Sequence, residues 1–557
     1  MKNKIFSIIT IFSCILIIAQ EKKSSLFNNL NDLPKEKIFV HSNSNFLLTG
    51  ETLYYKIYCL DQIKNSLSTY SKVAYIELIN SDNKSIVKQK INLIKSSGYG
   101  DFFLNTTIKT GAYKLISYTQ WMRNKQLFYE EDIFIVNPFS QKIREDNNIH
   151  KTFKSFKKLD SISSKNSKTY SKREKVLLDL PLVIQKNVKN FSISIKKKEK
   201  LNLQRKNNYS SILTSFEKEH KSNYFYLPEL RGSLIKGKIV SKNFKNNKVS
   251  NIRLSLSIKN DNSLPKTAIT NKLGEFYFNI KNIRNSTIAI QILDDNFDDY
   301  HLNLGFNNSL EKKFVNFKEI YLNDTISKII RDRSLNLQIE NAYYSIKKDS
   351  IYGATRKKSI FDYNKIVYKL DEYKRFNSVK KTFIEIIKKV NISKKNNNYQ
   401  IHVFGISDDK NLSSLPSLLI IDGNIIYNHN DFMDFNPKRI NTISIINNKY
   451  FYGSGIYQGI VIIDTYQRSY LPNQKQLKEF NILKPQPKKK YFFQKHKREN
   501  ERIPDYRTQL YWNPNIDLST KEITFYTSDV SGEFEIEIEG FTQKGKPISL
   551  RKTFFVD

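Results

Sequence analysis

Apolar and polar residues alternate with a period of two in short runs along most of this chain. Between residues 33 and 138 the runs are Lys37–His41, Thr52–Cys59, Ala74–Ile79, Ile86–Leu93, Gly100–Leu104, Ala112–Thr119 and Ile133–Val136. β-Branched and aromatic residues fill them, and polar turns separate them. Successive side chains of a strand point to opposite faces, so each run can bury one face and leave the other to solvent. Short strands at this spacing predict an antiparallel sandwich over 33–138.

The alternation lapses over 139–175, which is rich in Lys, Ser and Asn and reads as a basic flexible linker. Val176–Val183 and Phe191–Ile195 are two further strands in a segment 176–225, too few to make a domain alone. Over 226–303 the period returns in Leu234–Val240, Ile252–Ile258, Thr267–Thr270, Glu275–Ile280 and Ile288–Leu293, predicting a second sandwich. A connector, 304–370, holds a candidate strand Phe314–Leu322 and helical stretches without a clean stripe over Ile326–Ser350.

The pattern changes again over 371–466. Val379–Val390 reads as a short amphipathic helix and Gln400–Phe404 as a strand. The apolar run Leu418–Ile421 meets Asp422-Gly423, and Ile425-Ile426 follows. Asp-Gly between apolar runs is a strong hairpin signal, because the turn needs positive φ. Asn436-Pro437 marks a helix start. Ile440–Ile446 and Gly459–Ile463 are two more strands, expected to flank a loop containing Tyr452-Gly453-Ser454-Gly455. A basic linker, 467–505, carries Lys488-Lys489-Lys490 and Lys495–Arg502. The strands Glu522–Thr527, Gly532–Gly540 and Ile548–Val556 close the chain, and segment 506–557 is expected to complete the sandwich begun by the strands of 176–195. The fold class is therefore mostly β and multidomain: antiparallel β-sandwiches plus a small α+β domain.

The first residues alter the cellular reading. Lys2 and Lys4 precede an apolar run, Ile5–Ala19, and then Gln20-Glu21-Lys22-Lys23. A basic start with a short apolar run is a secretory signal, placed at 1–20, and too short for a membrane span. Acylation at Cys14 is disfavoured by the bulk of Phe12 and by the apolar Ile15–Ile18 beyond it. Without Cys14 the mature protein keeps only Cys59, so no internal disulfide is expected, and Cys59 reads as a small buried hydrophobe. The protein is expected to be exported, to the periplasm or the outer membrane.

Charge changes less than its size suggests. Lys and Arg number 92 against 54 Asp and Glu, a formal +38 over 557 residues. The excess is spread along the chain in company with Asn, Ile, Phe and Tyr, the residues of AT-rich codons. No nucleic-acid partner is expected. The seven histidines (41, 150, 220, 301, 402, 429 and 496) lack metal-ligand spacing, and His41 reads as a packed residue. Asp294, Asn296, Asp298 and Asp299 fail the EF-hand template, which wants Gly where Asp299 stands and Glu where Gly305 stands. No catalytic group, metal, cofactor or small-molecule substrate is expected, and the chain is read as a non-enzyme.

Several stretches carry resemblances. Leu48-Thr49-Gly50-Glu51-Thr52, Gly111-Ala112-Tyr113-Lys114-Leu115 and Tyr118-Thr119-Gln120-Trp121-Met122-Arg123-Asn124 resemble a macroglobulin domain of the α2-macroglobulin superfamily. Arg507, Tyr511, Trp512 and Pro514 with Phe525–Asp529 resemble another segment of that superfamily. Gly237-Lys238-Ile239-Val240 and Thr270-Asn271, Gly274, Phe276 and Phe278 resemble the carboxypeptidase regulatory-like, or transthyretin-like, sandwich, although Asn271 stands where Asp is usual. The stretch 371–466, through Asp422-Gly423, Asn436-Pro437, Tyr452-Gly453 and Gly459-Ile460-Val461-Ile462, resembles the plug of TonB-dependent receptors. The residues after Asp464 are too few for a receptor barrel, so a pore is not expected. Asp160-Ser161-Ile162, Asp324-Thr325-Ile326 and Asp349-Ser350-Ile351 resemble O-glycosylation sites of Gram-negative envelope proteins.

These resemblances imply protein–protein interaction at the outer membrane, as an accessory to a TonB-dependent uptake or export system. The expected partner is an outer-membrane protein such as a TonB-dependent barrel, and Asp422, Gly423, Tyr452, Gly453 and Gly459 are the expected contact residues. One alternative is a non-covalent protease trap with a bait segment in 467–505; covalent trapping is disfavoured because Cys59-Leu60-Asp61-Gln62 lacks the thioester glutamate. The other is an envelope hydrolase whose polar residues converge only in space.

Overall fold

The computed structural model describes residues 34–140, 168–180, 188–198, 225–242, 248–305 (except 262, 282 and 284), 310–317, 324–352, 365–405, 415–472, 476–497, 502–516 and 522–557 (except 543). The expected signal peptide and the tripeptide at Asp160 lie outside these residues. Mostly antiparallel sheets build the molecule.

The first sandwich packs two sheets face to face. One places Thr52–Asp61 between Glu36–Ser42 on one side and Ser97–Phe103 and Ser66–Leu67 on the other. The other runs in the order Phe46–Leu48, Tyr129–Val136, Gly111–Tyr118, Val73–Asn80, Ser85–Asn92. Alternating positions such as Leu53, Tyr55, Ile57 and Leu78 fill the core between them. Cys59 lies in this core, and burial pushes its thiol well above the usual value. A helix, Asp324–Ala342, lies along this sandwich, with Ile326 and Ile330 packed on Phe46, Leu48 and Phe134. It replaces the irregular helical stretches expected there. Of the candidate strand Phe314–Leu322, residues 314–317 are irregular and the rest lies outside the described residues.

The strands of 175–197 find their partners at the far end of the chain. Val188–Lys197 lies between Gln509–Asn513 and Gly532–Thr542, antiparallel to both. Lys175–Asp179 pairs with Glu522–Tyr526. Thr169–Tyr170, inside the expected linker 139–175, pairs in parallel with the edge of Pro547–Val556. Phe191, Ile193 and Ile195 meet Phe534, Ile536 and Phe554 in one core, so two distant segments make one C-terminal sandwich.

The second sandwich has one sheet in the order Glu275–Ile280, Ser233–Ser241, Tyr300–Leu304 and another in the order Lys266–Ile269, Arg253–Ile258, Thr287–Ile292, Leu477–Asn481. The last strand comes from the segment expected to be a basic linker. Residues 476–497 are instead a strap. Gln486 N–H donates to Lys90 O of the first sandwich (2.7 Å), Lys489-Lys490 pairs with Ser350-Ile351, and Phe493 stacks on Tyr511 of the C-terminal sandwich, with ring centroids 4.7 Å apart. Lysine-rich composition concealed this, because strand pairing uses backbone groups whatever the side chains.

The α+β body holds a mixed sheet in the order Ile366–Lys369, Ile440–Tyr452, Gly455–Thr465, Leu418–Ile421, Asn424–Ile426. Leu418–Ile421 runs parallel to Gly455–Thr465. The helix Val379–Ile386 starts at Ser378, whose hydroxyl caps Lys381 N–H, and it buries Val379, Thr382, Phe383 and Ile386 on one face. It ends before the expected Val390, which opens the next strand, Val390–Lys395. Asp422 (φ +49°) and Gly423 (φ +84°) form the expected tight turn. The loop expected around 452–459 is only a two-residue turn, Gly453-Ser454. The strands pair to their ends, with Tyr450 opposite Tyr457 and Phe451 opposite Ile456. Gly459 sits at φ +79°, opposite a bulge after Ile446.

Candidate binding cleft

The five expected contact residues lie on one body, and most of them already have neighbours within the chain. Asp422 is only 7% exposed. Its carboxylate accepts from Thr465 N–H (2.8 Å), Thr465 Oγ1 (2.6 Å) and Tyr470 N–H (3.1 Å), so it clamps the end of the sheet. A Cβ on Gly453 would lie 1.9 Å from Thr267 Oγ1 of the second sandwich. Tyr452 O–H donates to Pro265 O. A Cβ on Gly423 would touch Asp261 O at 3.6 Å, and one on Gly459 would overlap Val403 at 2.4 Å. Arg253 lies over the Tyr427 ring at 5.1 Å, and Ser257 Oγ donates to Asn424 Oδ1 at 2.7 Å. Part of the surface predicted to receive a partner is thus docked on the second sandwich of its own chain, while the hairpin tip at Gly453-Ser454 stays exposed.

A sealed polar cluster joins the first and C-terminal sandwiches. His41 Nδ1 lies 2.7 Å from Ser192 Oγ, and His41 Nε2 lies 3.6 Å from Glu537 Oε2. Tyr58 O–H donates to Glu539 O (2.9 Å) and lies 3.0 Å from Ser192 Oγ. Lys56 Nζ donates to Phe191 O (3.2 Å), and burial pulls its pKa well below the usual lysine value. Serine, histidine and glutamate are the residue types of a hydrolytic triad. Here His41 and Ser192 are fully buried and Glu537 nearly so, leaving a substrate no approach. The cluster fastens one sheet to another, and the packed histidine has a polar partner.

Beside that cluster the same two sandwiches part. A cleft of about 610 Å³ lies between them, with the helix Asp324–Ala342 and the strap at its sides. Thr52, Tyr54, Asp101 and Phe103 face it from neighbouring strands of the first sandwich, where Thr52 opposes Phe103 and Tyr54 opposes Asp101. Arg333 on the helix grips Glu51 with two bonds of 2.6 and 2.7 Å. Lys347 Nζ donates to Glu340 (2.7 Å), whose other oxygen accepts Tyr506 N–H at 2.6 Å. Lys489 pairs with Asp101 at 2.8 Å. Asp505, behind the cleft, is held well below the usual carboxylate range: burial opposes this, but Arg507, His496 and Lys347 outweigh it.

Aromatic rings cover much of the interior. Tyr54 stacks on Trp512 (5.9 Å, 23°) and meets the edge of Tyr491 (5.0 Å, 83°). Phe103 and Tyr344 are each 58% exposed. The Trp512 indole is 3% exposed, and its Nε1 has no acceptor among the described residues. None of these positions was expected from sequence to line a binding site, although Trp512 was among the residues carrying a resemblance. The one available signal was Tyr491-Phe492-Phe493, an aromatic triplet inside a lysine-rich stretch.

Among the described residues no three His, Cys, Asp or Glu side chains converge as a metal site requires, and no helix is long and apolar enough to cross a membrane. No family model matches the chain, and neither does any curated protein. Solved structures that it is similar to include Salmonella α2-macroglobulin reacted with methylamine, at 7% identity and a TM-score of 0.17, over 95% of this chain and 24% of that one. Escherichia coli α2-macroglobulin activated by porcine elastase gives 8% and 0.22, over 94% and 44%. The Y1175G mutant of Salmonella α2-macroglobulin gives 8% and 0.24, over 96% and 40%. This chain thus spans less than half the length of those proteins, and scores at this level define no family.

Proposed function

We propose that this chain is an exported, non-enzymatic envelope protein that works by holding a partner protein in the cleft between its first and C-terminal sandwiches. The partner is an outer-membrane protein, in the sharpest form a TonB-dependent barrel. One observation carries the reading: the cleft is open and aromatic, with Phe103 and Tyr344 lining it, whereas Asp422, Tyr452 and Gly459 of the expected contact set are turned to neighbours within the chain. Exposed aromatic side chains in a recess are the anchors that protein interfaces favour.

The test is site-specific photocrosslinking in cells that make the protein. A photoreactive residue at Phe103 or Tyr344 is expected to give one discrete adduct in the membrane fraction. The same residue at Ser454 is expected to give none. Adducts from Ser454 alone would return the partner to the hairpin. No adduct from either position, or a mature chain found in the cytoplasm, would end the reading.

A further inference from the structure

Exposed apolar side chains gather where the helix Asp324–Ala342 gives way to the strap. Tyr344, Ile346, Ile351 and Tyr352 are each more than half exposed. The backbone holds them close together. Ile346 N–H donates to Tyr343 O and Lys347 N–H to Tyr344 O, in a tight turn. Ser350-Ile351 then pairs with Lys489-Lys490, Tyr352 N–H donates to Lys488 O (3.0 Å), and Phe492 N–H donates to Asp349 (2.9 Å). A two-residue strand pair has no second layer to bury such side chains. Clustered exposure of this kind marks a contact surface more often than scattered single residues do. The charge beside it is one-sided. From Ile482 to Lys497 the strap carries six lysines and no Asp or Glu. Lys489 is spent on Asp101 and Lys347 on Glu340. Lys348, Lys488 and Lys490 are exposed and have no carboxylate partner among the described residues.

We propose that this patch seats the chain on an anionic phospholipid surface. Ile346 and Ile351 enter the boundary between headgroups and acyl chains. The Tyr344 and Tyr352 rings lie at headgroup level, where an apolar body with a polar tip is favoured. Lys348, Lys488 and Lys490 reach the lipid phosphates, and each lysine near such a surface adds attraction that salt weakens. Apolar side chains ringed by unpaired lysines match a bilayer interface in both of its layers. A nucleic acid would use the lysines and leave the two isoleucines without a role. The attachment is peripheral, since it places side chains and no helix in the lipid. It goes beyond the docking reading and does not depend on it. Tyr344 belongs to both surfaces, so a chain seated this way opens its cleft beside the bilayer.

The test is flotation of the purified mature chain with vesicles of phosphatidylglycerol and phosphatidylcholine in equal parts, against vesicles of phosphatidylcholine alone. The chain is expected to float with the anionic vesicles only. Net charge by itself could cause that, so the deciding variant keeps the charge: Ile346→Ser with Ile351→Ser is expected to weaken binding about tenfold or more. Lys348→Gln, Lys488→Gln and Lys490→Gln together are expected to weaken it by a similar factor. Leu273→Ser, an exposed apolar residue on the second sandwich, is expected to change nothing. All these side chains are exposed, so thermal unfolding should not move; if the double variant unfolds early, Ile346→Ser alone carries the same expectation. No flotation, unchanged binding in the isoleucine variants, or an equal loss in Leu273→Ser would overturn the proposal. A crosslinked partner at Phe103 together with no flotation would sink the lipid seat and leave the docking reading standing.

Discussion

Between the second sandwich and the α+β body the seam is apolar. Leu293 packs with Leu418, Ile420, Ile425, Ile446 and Ile460, and Tyr427, Tyr450, Tyr452 and Tyr457 close around them. Between the first and C-terminal sandwiches the seam is largely polar, built from His41, Lys56 and Tyr58 against Asn190, Ser192 and Glu537. An apolar seam gains from every contact that excludes water and needs little directional matching. A polar seam holds only where each group meets its counterpart. Beside this matched cluster the bodies part and leave the cleft. The difference teaches that the more hydrophobic surface is buried within the chain, and that the cleft left open lies beside the more polar seam.

Ile446→Asp should break the apolar seam most severely. It leaves an unpaired charge at a fully buried position and should cost about 4 kcal/mol, read by chemical unfolding of the full chain. A cost under about 1 kcal/mol would mean that water already enters there.

Acid should weaken the same body next. His429 Nδ1 accepts the Ile401 N–H at 2.9 Å, and burial, with nearby His402, lowers its pKa from 6.5 to about 4. Above pH 6.5 both folded and unfolded states leave the ring neutral, and the full stability is present. Between 6.5 and 4 the unfolded chain takes up a proton that the folded chain excludes, so stability falls by about 3 kcal/mol in all. His429→Asn keeps an acceptor for Ile401 and should flatten that slope in unfolding measured against pH.

The polar seam should yield less per residue. Ser192→Ala removes a hydrogen-bond partner of His41 Nδ1 and of Tyr58, for about 1–2 kcal/mol. In a double-mutant cycle with Tyr58→Phe the two losses should not add. Additive losses would show that the cluster is not a network. The smallest effect belongs to Phe451→Ala at the hairpin end. Phe451 is 76% exposed, and its loss should move the thermal midpoint by the equivalent of under about 0.5 kcal/mol.

Local chemistry was legible where neighbours along the chain decide it. Alternation located most of the strands, Asp422-Gly423 gave the turn its φ values, and the apolar stripe from Val379 located the helix, which ends at Ile386 and not at the expected Val390. Pairing between distant strands was not, because a period of two says which face is buried and not which strand lies alongside. Leu477–Asn481 shows this well: Lys478, Glu479 and Asn481 are exposed, so its side chains look like a linker while its backbone completes a sheet. The expected contact residues came from the resemblance to a receptor plug, which does not tell what lies against them within this chain. The smallness of Gly453 and Gly423 lets the hairpin approach Thr267 and Asp261. Apart from the triplet Tyr491-Phe492-Phe493 the cleft left no local trace, since Tyr54, Phe103 and Trp512 converge only through the fold.

The division of the C-terminal sandwich between 169–197 and 509–556 has a consequence for synthesis. As the chain leaves the ribosome, the strand Val188–Lys197 emerges long before either of its neighbours exists. One of its backbone edges stays unpaired until Gln509–Asn513 is translated and the other until Gly532–Thr542, and the core over Phe191, Ile193 and Ile195 closes only with Phe554. Such long-range pairing folds late, and the waiting strand is an aggregation hazard that calls for a chaperone. A chain that cannot finish folding early also stays threadable, which would suit the export proposed for it.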